Sequence, residues 1–500
     1  MVLKGNPGTE FCMAASAQNR KTAKTETGFF VLFVSVLLCF LMSGACGLIY
    51  QVIWTRKLAL IFGTTSYAVS TVLTIFFMGL GIGSLIGGRI ADRTRRPLLF
   101  YGIFEIIISI WACLFILILP ALEPLIPQLL RIFDFSHATG IALRALLTFL
   151  LLCVPVTLMG ATLPLLSRFV AQHSCNFGRR LALLYAVNTF GAVLGCLITG
   201  FLLIPALGYT QATLVGFVLN LCAGLAAIII SLLNKGTDYA INSEKMELPG
   251  AKPLLRSLSL YLLLATGVCG FCGLALEVIW TRLLAIVFLG TTYAYTTMLT
   301  AFLCGIAAGG ACAAIIADRL QRRAFVIGAA MMLLSVCIVV QIGWTAALPE
   351  QFIEMSRTVR AEWAGVTQGT FLLSFATLFP MTFLFGFLFP LMLRAYSAAD
   401  AYAGRNVGRM YGANTFGGVL GAVAGGFILL PWLGAHKSIL VLSLLLLGMG
   451  LFLLCVCGNT GLRLKIAAGI VLFALFGSAV LNNPEDVSHA LNIGYVPSDH

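Results

Sequence analysis

Long apolar runs alternate with short polar segments along nearly the whole chain. Each run holds about 18 or more apolar residues, enough to cross the ~30 Å hydrocarbon core of a bilayer as a helix. Charged residues fall mostly in the polar segments between runs. The pattern predicts an all-α, polytopic membrane protein.

The apolar runs predict thirteen membrane spans, grouped as six, six and one. Six is an even number, so both groups of six enter the membrane from the same side. The predicted division is a polar cytoplasmic tail at 1–27, a first six-helix repeat at 28–233, a cytoplasmic linker at 234–256, a second six-helix repeat at 257–457, an extra transmembrane helix at 458–482 and a short external tail at 483–500.

The two groups of six are copies of one another. LIYQVIWTR at 48–56 returns as LALEVIWTR at 274–282, and YAVNTFGAVLG at 185–195 returns as YGANTFGGVLG at 411–421. Both pairs are 226 residues apart, and the same offset aligns 41–100 with 267–326 without a gap. A single offset over this length indicates an internal duplication. Two parallel halves, related by a pseudo-twofold along the membrane normal, predict a central cleft between them.

Composition and charge agree with this assignment. The chain of 500 residues is 60% hydrophobic and 10% charged, with a net charge of +13. Most Lys and Arg residues fall on the side that a cytoplasmic N-terminus would place inside, so the basic excess records orientation and does not indicate nucleic-acid binding. We therefore expect a multi-pass protein of the cell (inner or plasma) membrane with an external C-terminus. The five histidines are scattered and most of the 15 cysteines lie in spans, so no metal site and no cofactor are predicted.

The VIWTR phrase has two interpretations. It describes either an interfacial Trp with a snorkelling Arg, or the outer mouth of the cleft. In the second interpretation an acid and two indoles form a seat for an organic cation. The residues concerned are Gln51, Trp54 and Arg56 in the first copy and Glu277, Trp280 and Arg282 in the second.

Charged loop phrases follow the second span of each half. They are DRTRR, beginning at Asp92-Arg93, and DRLQRR, beginning at Asp318-Arg319. One interpretation is a marker of orientation; the other is a gate, in which the Asp pairs with Arg residues across the loop to hold one conformation. The phrase resembles the loop motif of the major facilitator superfamily.

The NTFG phrases combine glycines four apart with an amide inside each span. That glycine spacing predicts close packing of helix backbones. Asn188 and Asn414 need hydrogen-bond partners, and either cross-link helices or face the cleft. Glu105, flanked by apolar residues on both sides, is either interfacial or a functional acid. The polar segment 349–367 is interpreted as a solvated loop, with a lid as the alternative.

The repeated set SGACGLIYQVIWTR, DRTRR, GATLPLLSR and YAVNTFGAVLG resembles the membrane portion of the fused MFS/spermidine-synthase-like proteins. The resemblance covers roughly 30–480 and implies a polyamine or an S-adenosyl-derived metabolite as the associated small molecule. In fused members an aminopropyltransferase-like domain follows the membrane region. No nucleoside-binding Gly-rich loop occurs in this sequence, so we expect no catalytic activity in this chain.

Three functions follow as expectations. The first is a transporter that binds or moves a small organic solute, with a polyamine or related cation as one candidate, by rocking of the two halves. The second is a membrane subunit or remnant of a spermidine-synthase-like system that acts with a separate soluble transferase. The third is a membrane scaffold without transport activity.

Overall fold

The computed structural model describes residues 7–62, 66–122, 137–173, 177–234, 256–288, 292–316, 322–359, 362–396 and 403–457, with isolated positions outside these ranges. Within this part of the chain the elements are helical and no strand occurs, which confirms the all-α prediction. In chain order the helices are α1 (Pro7–Phe62), α2 (Ser66–Arg93), α3 (Pro97–Leu122), α4 (His137–His173), α5 (Phe177–Ile198), α6 (Ile204–Leu233), α7 (Arg256–Val287), α8 (Thr292–Ile316), α9 (Arg323–Ala346), α10 (Leu348–Thr358), α11 (Trp363–Tyr396), α12 (Ala403–Val423) and α13 (Leu430–Cys457).

The helices of the second half begin at the offset found in the sequence. Five helices of the first half start 226 residues before their counterparts. These starts are Ser66 and Thr292, Pro97 and Arg323, His137 and Trp363, Phe177 and Ala403, and Ile204 and Leu430.

Two long helical segments each contain a pair of spans. Ten described segments are long and apolar enough to cross a bilayer, and two of them, Arg179–Leu233 and Ala403–Val456, contain 55 and 54 residues. About 20 residues suffice for one crossing, so each of these segments crosses twice. The chain turns at Gly208 (φ 74°) and Gly434 (φ 71°), where a residue with a Cβ would be strained. A π-helical stretch precedes each turn, at Thr199–Leu203 and Ala424–Leu429.

Two boundaries differ from those expected. Helix α1 continues to Phe62, so the first VIWTR phrase lies inside a helix and not at the outer mouth of the cleft or at a helix end. The prediction of a solvated loop at 349–367 is wrong, because helix α10 forms in this segment. Glu350 in its first turn and Arg357 in its last turn both complement the helix dipole. The ring of Phe352 also packs on Phe288, with centroids 5.2 Å apart.

Parts of the predicted division fall outside the described residues. The chain is helical from Pro7, within the segment expected as a polar tail. Residues 235–255 of the linker, nearly all of the extra transmembrane helix at 458–482 and the tail at 483–500 lie outside the described part, as does Asp318.

The two halves meet along two pairs of helices. Helix α2 packs against α12, and α5 packs against α8, while α3 with α6 and α9 with α13 form the outer pairs. Glycine allows the first contact to be close, since a Cβ on Gly408 would overlap the backbone carbonyl oxygen of Ser84. The outer helices present large apolar side chains outwards, for example Leu117 at 71% exposure, as expected for a surface that faces lipid.

Candidate solute-binding cavity

A cavity of about 290 Å³ lies between the two halves. Its walls come from α1, α2, α4 and α5 of the first half and from α7, α8, α11 and α12 of the second. All described lining residues fall into pairs 226 positions apart, except Phe40, Thr162, Leu299 and Met392. The internal duplication therefore builds the cavity from the same helix faces in each half.

The NTFG phrases supply one such face. Residues three, four and seven positions apart lie on the same side of a helix. On α5 this face consists of Tyr185, Asn188, Thr189 and Ala192, and on α12 of Tyr411, Asn414, Thr415 and Gly418, all of which line the cavity. Asn188 and Asn414 are half-buried, so both amides lie on the cavity walls.

The glycines of the same phrases pack α5 on α1 and α12 on α7. A Cβ on Gly195 would overlap the backbone carbonyl oxygen of Ala45, and a Cβ on Gly421 would overlap that of Phe271. On α1, Gly44 likewise lets the backbone of Asn188 on α5 approach, because a Cβ on Gly44 would overlap the Asn188 carbonyl oxygen. The predicted role of the glycine spacing in close helix packing is therefore observed in both halves.

Gln51 and Glu277 line the cavity at equivalent positions on α1 and α7. The side chain of Gln51 is 7% exposed, and that of Glu277 is half-buried. Glu277 is the only Asp, Glu, Lys, Arg or His among the described lining residues, and no described Lys or Arg acts on it electrostatically. The cavity therefore has one acidic point, contributed by the second half.

Trp54 and Trp280 do not form walls of the cleft. Their exposures are 0% and 1%, and neither lines the cavity. Trp54 is stacked between Tyr50 and Phe115, with ring centroids at 5.1 Å and 5.0 Å. Gln51 and Trp54 lie only about 60° apart around α1, but the indole ring is buried where α1 packs against Phe115 of α3. The interpretation of the two indoles as part of a cation seat is not met.

Other aromatic rings form the walls that the indoles were expected to form. Phe389 packs on Tyr185 with ring centroids 5.1 Å apart, and on Tyr411 with centroids 6.0 Å apart. All three line the cavity. The sequence indicates that the two tyrosines face the cavity with the asparagines, because each tyrosine begins an NTFG phrase three residues before its Asn.

Arg56 makes a contact between the halves. Its guanidinium carbon lies 4.9 Å from the centroid of the Tyr295 ring, which belongs to α8. Tyr295 is also within electrostatic reach of Glu277. Arg282, the equivalent residue of the second half, is half-buried and does not line the cavity.

Asp92 lies at the opposite end of the bundle from Arg56, and we call this the Asp92 end. The Asp92 Oδ1 and Oδ2 atoms accept hydrogen bonds from the backbone N–H groups of Gly404 (3.0 Å) and Arg405 (2.9 Å). Both groups belong to the first turn of α12, where a carboxylate is favoured by unpaired N–H groups and by the helix dipole. The loop phrase thus joins the two halves at this end.

The partners of Asp92 differ from those expected. The gate interpretation paired it with arginines of its own loop, but Arg93 is exposed. The arginines in its electrostatic surroundings are Arg168 on α4 and Arg405 on α12. In the second half Arg319 is exposed, and Asp318 lies outside the described residues.

A profile of the Major Facilitator Superfamily matches residues 32–426. The chain belongs to the Major Facilitator Superfamily. Its fold and its family are those of multi-pass membrane transporters of small solutes, which agrees with a cavity that lies between the two halves.

Solved structures of superfamily members share this fold. The proton:xylose symporter XylE aligns with a TM-score of 0.55 and 13% identity, covering 86% of this chain and 96% of that one. The human organic anion transporter MFSD10 aligns with a TM-score of 0.52 and 15% identity, covering 85% and 98%. At these identities the likeness shows the fold alone.

Two curated relatives come from Streptomyces coelicolor. Polyamine aminopropyltransferase 1 is 25% identical over 210 residues, which are 41% of this chain and 35% of that protein. Polyamine aminopropyltransferase 2 is 25% identical over 224 residues, which are 44% of this chain and 37% of that protein. The chain thus aligns with about a third of the length of each relative.

Proposed function

We propose that this superfamily member transports a small organic cation, with a polyamine as the first candidate. The observation that carries the proposal is the Glu277 carboxyl group on the cavity wall, without a described basic residue beside it in the lining. A carboxylate in such a place is costly unless a cation offsets its charge. A solute with an ammonium group supplies that charge.

The remaining walls suit the same class of solute. Tyr185, Phe389 and Tyr411 present aromatic rings to the cavity, and aromatic faces attract cations. Asn188 and Asn414 add amide groups that accept hydrogen bonds from an ammonium. A volume of about 290 Å³ is near the lower bound of roughly 300 Å³ for small-molecule sites, so the solute is the size of a small metabolite.

The choice of a polyamine rests on two further points. The repeated phrases resemble the membrane portion of spermidine-synthase-like proteins, and the two curated relatives are named for polyamine aminopropyltransferase activity. Polyamines are flexible chains of ammonium groups joined by methylenes. A cavity with one acid, several aromatic rings and apolar faces matches both parts of such a molecule.

Transport would proceed by rocking of the two halves about the cavity. The Asp92 end is held by the hydrogen bonds from Asp92 to the first turn of α12. The opposite end is held by Arg56 on the Tyr295 ring and by the Thr300 hydroxyl, which donates to Cys196 Sγ at 3.5 Å. Breaking one set while keeping the other opens the cavity to one side.

The Asp92 end would face the cytoplasm. Exposed arginines cluster there on α2, on the loop that follows it and on α12. Basic residues of short loops are retained on the cytoplasmic side. The residues concerned are Arg89, Arg93, Arg95, Arg405 and Arg409.

The test is thermal stability of the purified protein against spermidine, putrescine and a neutral polyol. A ligand that binds only the folded state raises the melting midpoint with the logarithm of its concentration. We expect a saturable rise with spermidine that is lost in Glu277→Gln. This variant is a matched one, because the first half already carries Gln51 at the equivalent cavity position.

Counterflow of labelled spermidine in proteoliposomes then separates binding from transport. Exchange by the wild type and its absence in Glu277→Gln would support the proposal. An equal spermidine shift in wild type and variant would overturn the role of Glu277, and a shift with the polyol alone would overturn the cation class.

A second candidate is a membrane subunit of an aminopropyltransferase-like system. The similarity to the two Streptomyces coelicolor relatives favours it. The measurement is co-purification of a soluble transferase with the tagged membrane protein from its own cells, with an unrelated superfamily member as control. Spermidine counterflow without any bound transferase would reject this candidate in favour of the first.

A further inference from the structure

A buried acid lies outside the cavity, where α1, α3 and α6 pack together. Glu105 on α3 is 1% exposed. Ser43 Oγ on α1 donates a hydrogen bond of 2.6 Å to Glu105 Oε1, and Asn220 Nδ2 on α6 donates one of 2.6 Å to the Glu105 backbone carbonyl oxygen. Glu105 is therefore enclosed between helices and faces neither lipid nor water.

The hydrogen bonding of this acid is incomplete. Glu105 Oε2 is buried without a hydrogen bond of good geometry, and so is the hydroxyl group of Tyr101, one helical turn earlier on α3, which interacts with the Glu105 carboxyl group. Buried polar atoms in native proteins are nearly always paired, so two orphans side by side need an explanation. A protonated Glu105 would add a second donor to this pair, beside the Tyr101 hydroxyl group.

The groups around Glu105 carry no positive charge. The titratable side chains that feel it are Cys39, Cys46 and Tyr50 on α1 and Tyr101 on α3. Helix α6 contributes the Asn220 amide, and its Cys222 does not act on Glu105. On α4, which also packs against α3, the titratable side chains of the described part are Cys153 and Arg168, and neither acts on Glu105.

In the second half the three equivalent helices, α7, α9 and α13, pack together without any of these polar groups. The positions equivalent to Ser43, Tyr101, Glu105 and Asn220 are occupied by Cys269, Ile327, Met331 and Leu446, with exposures of 4%, 0%, 0% and 0%. This three-helix contact can therefore form with apolar side chains alone. Because burial of a carboxyl group is unfavourable, its presence in the first half points to a task other than packing.

Ser43 connects the acid to the cavity. Its side chain lines the cavity wall and donates to Glu105 Oε1. A hydroxyl group donates and accepts, so it can pass a proton between water in the cavity and a carboxyl group behind the helix. We infer that Glu105 is a proton-binding site of this transporter, filled from the central cavity through Ser43.

The transfer balances without an oxidant or a second reactant. A hydronium ion in the cavity gives a proton to Ser43 Oγ, while the Ser43 hydroxyl proton moves to Glu105 Oε1. Water and a neutral carboxylic acid result, and the reverse steps release the proton. Use of this proton to drive a solute rests on the proposed function, but binding of the proton does not.

Infrared difference spectroscopy of the purified protein in lipid nanodiscs tests the site directly. Acidification should produce a carbonyl-stretch band of a protonated carboxylic acid in the wild type. We expect this band to be lost in Glu105→Gln and to remain in Glu277→Gln. A rapid acid jump should show the band forming more slowly in Ser43→Ala, in which the hydroxyl relay is missing.

Two results would overturn the site. A band that persists in full in Glu105→Gln assigns the titration to another group. A wild type without any acid-induced band makes Glu105 a fixed structural acid. If Glu105→Gln does not fold, Glu105→Met replaces it, because the second half folds with Met331 at this position.

The spectra require no solute, so this inference and the proposed function fail separately. If spermidine does not shift the melting midpoint but the band is lost in Glu105→Gln, the proton site stands and the proposal of an organic-cation substrate fails. If spermidine shifts the melting midpoint but the band is unchanged in Glu105→Gln, the cation proposal stands and the proton site fails.

Discussion

The two halves of this protein share their architecture and differ in where they place an acid. Their helices start at one offset, turn at Gly208 and Gly434, and present the same faces to the cavity. The first half has Glu105 behind α1 and Gln51 in the cavity. The second half has apolar Met331 behind α7 and Glu277 in the cavity.

This difference separates packing from chemistry. Several positions at which backbones touch are glycine in both copies, among them Gly195 and Gly421, where any side chain would collide with the neighbouring helix. By contrast, Glu105 and Glu277 are matched in the other copy by the neutral residues Met331 and Gln51. A burial cost that only one copy carries is not required by the fold, which is why we propose functional roles for both acids.

The largest expected effect comes from giving the second half the acid of the first. Met331→Glu buries a carboxyl group among apolar side chains, without counterparts of Ser43 and Asn220. We expect about 3–5 kcal/mol of destabilisation at neutral pH, as for other uncompensated buried charges. The loss should shrink in acid, where the added group is neutral.

The measurement for this change is the melting midpoint of the detergent-purified protein across pH. Met331→Gln is the control, because it adds a polar group that does not titrate. Equal melting of Met331→Glu and wild type at neutral pH would mean that the two cores tolerate an acid equally.

The next largest effect is expected at the glycines where helix backbones touch in both halves. Gly195→Ala and Gly421→Ala each place a methyl group against a backbone carbonyl oxygen of the neighbouring helix. Overpacking of this kind costs about 1–3 kcal/mol, and we expect similar losses of melting midpoint in both halves. Gly448→Ala is the matched control, since nothing lies within 4 Å of its added Cβ. A loss confined to one half would contradict equivalent packing.

A smaller effect is expected at the junction between the halves. Asp92→Asn removes the charge that faces the first turn of α12, an interaction of about 1 kcal/mol. The Asp92 end should then open more often, by roughly fivefold in population. A reporter thiol introduced by Ser84→Cys, at a buried position between α2 and α12, should react faster with a maleimide.

Arg93→Gln provides the control for this junction, because Arg93 is exposed and outside the hydrogen bonds to α12. If the reporter thiol at position 84 is labelled at one rate in Asp92→Asn and in Arg93→Gln, the carboxylate does not hold the two halves together.

The smallest effect is expected from making the cavity symmetric. Gln51→Glu gives both halves an acid on the cavity wall, so a diamine should bind more tightly by roughly threefold, about 0.7 kcal/mol. A monoamine of similar length should gain less, because one ammonium group cannot meet both acids. Melting midpoints against putrescine and butylamine measure the difference, with Gln51→Leu as the control. A weaker response to putrescine in Gln51→Glu would contradict a cation site between Gln51 and Glu277.

Much of the cavity could be predicted from the repeats. The NTFG phrases already contain its α5 and α12 faces in their spacing of three, four and seven. The VIWTR phrase was harder to interpret, because Gln51 and Trp54 lie only about 60° apart around α1 and the spacing does not say which of them faces the cavity. The walls at Phe389 and Phe76 carried no signal, since a phenylalanine inside a span is apolar wherever it points.

The sequence by itself determined the long apolar helices, the duplication and glycines at which backbones meet, but not the short polar helix α10. These follow from local properties, because a bilayer forces each apolar run into a helix and a shared offset reveals a copied packing face. The tertiary structure alone decided that Asp92 binds the first turn of α12, that Trp54 faces away from the cavity and that Ser43 joins Glu105 to it. Those facts depend on which helices become neighbours and how each is rotated, and residues 62 or 312 positions apart meet only when the bundle is assembled.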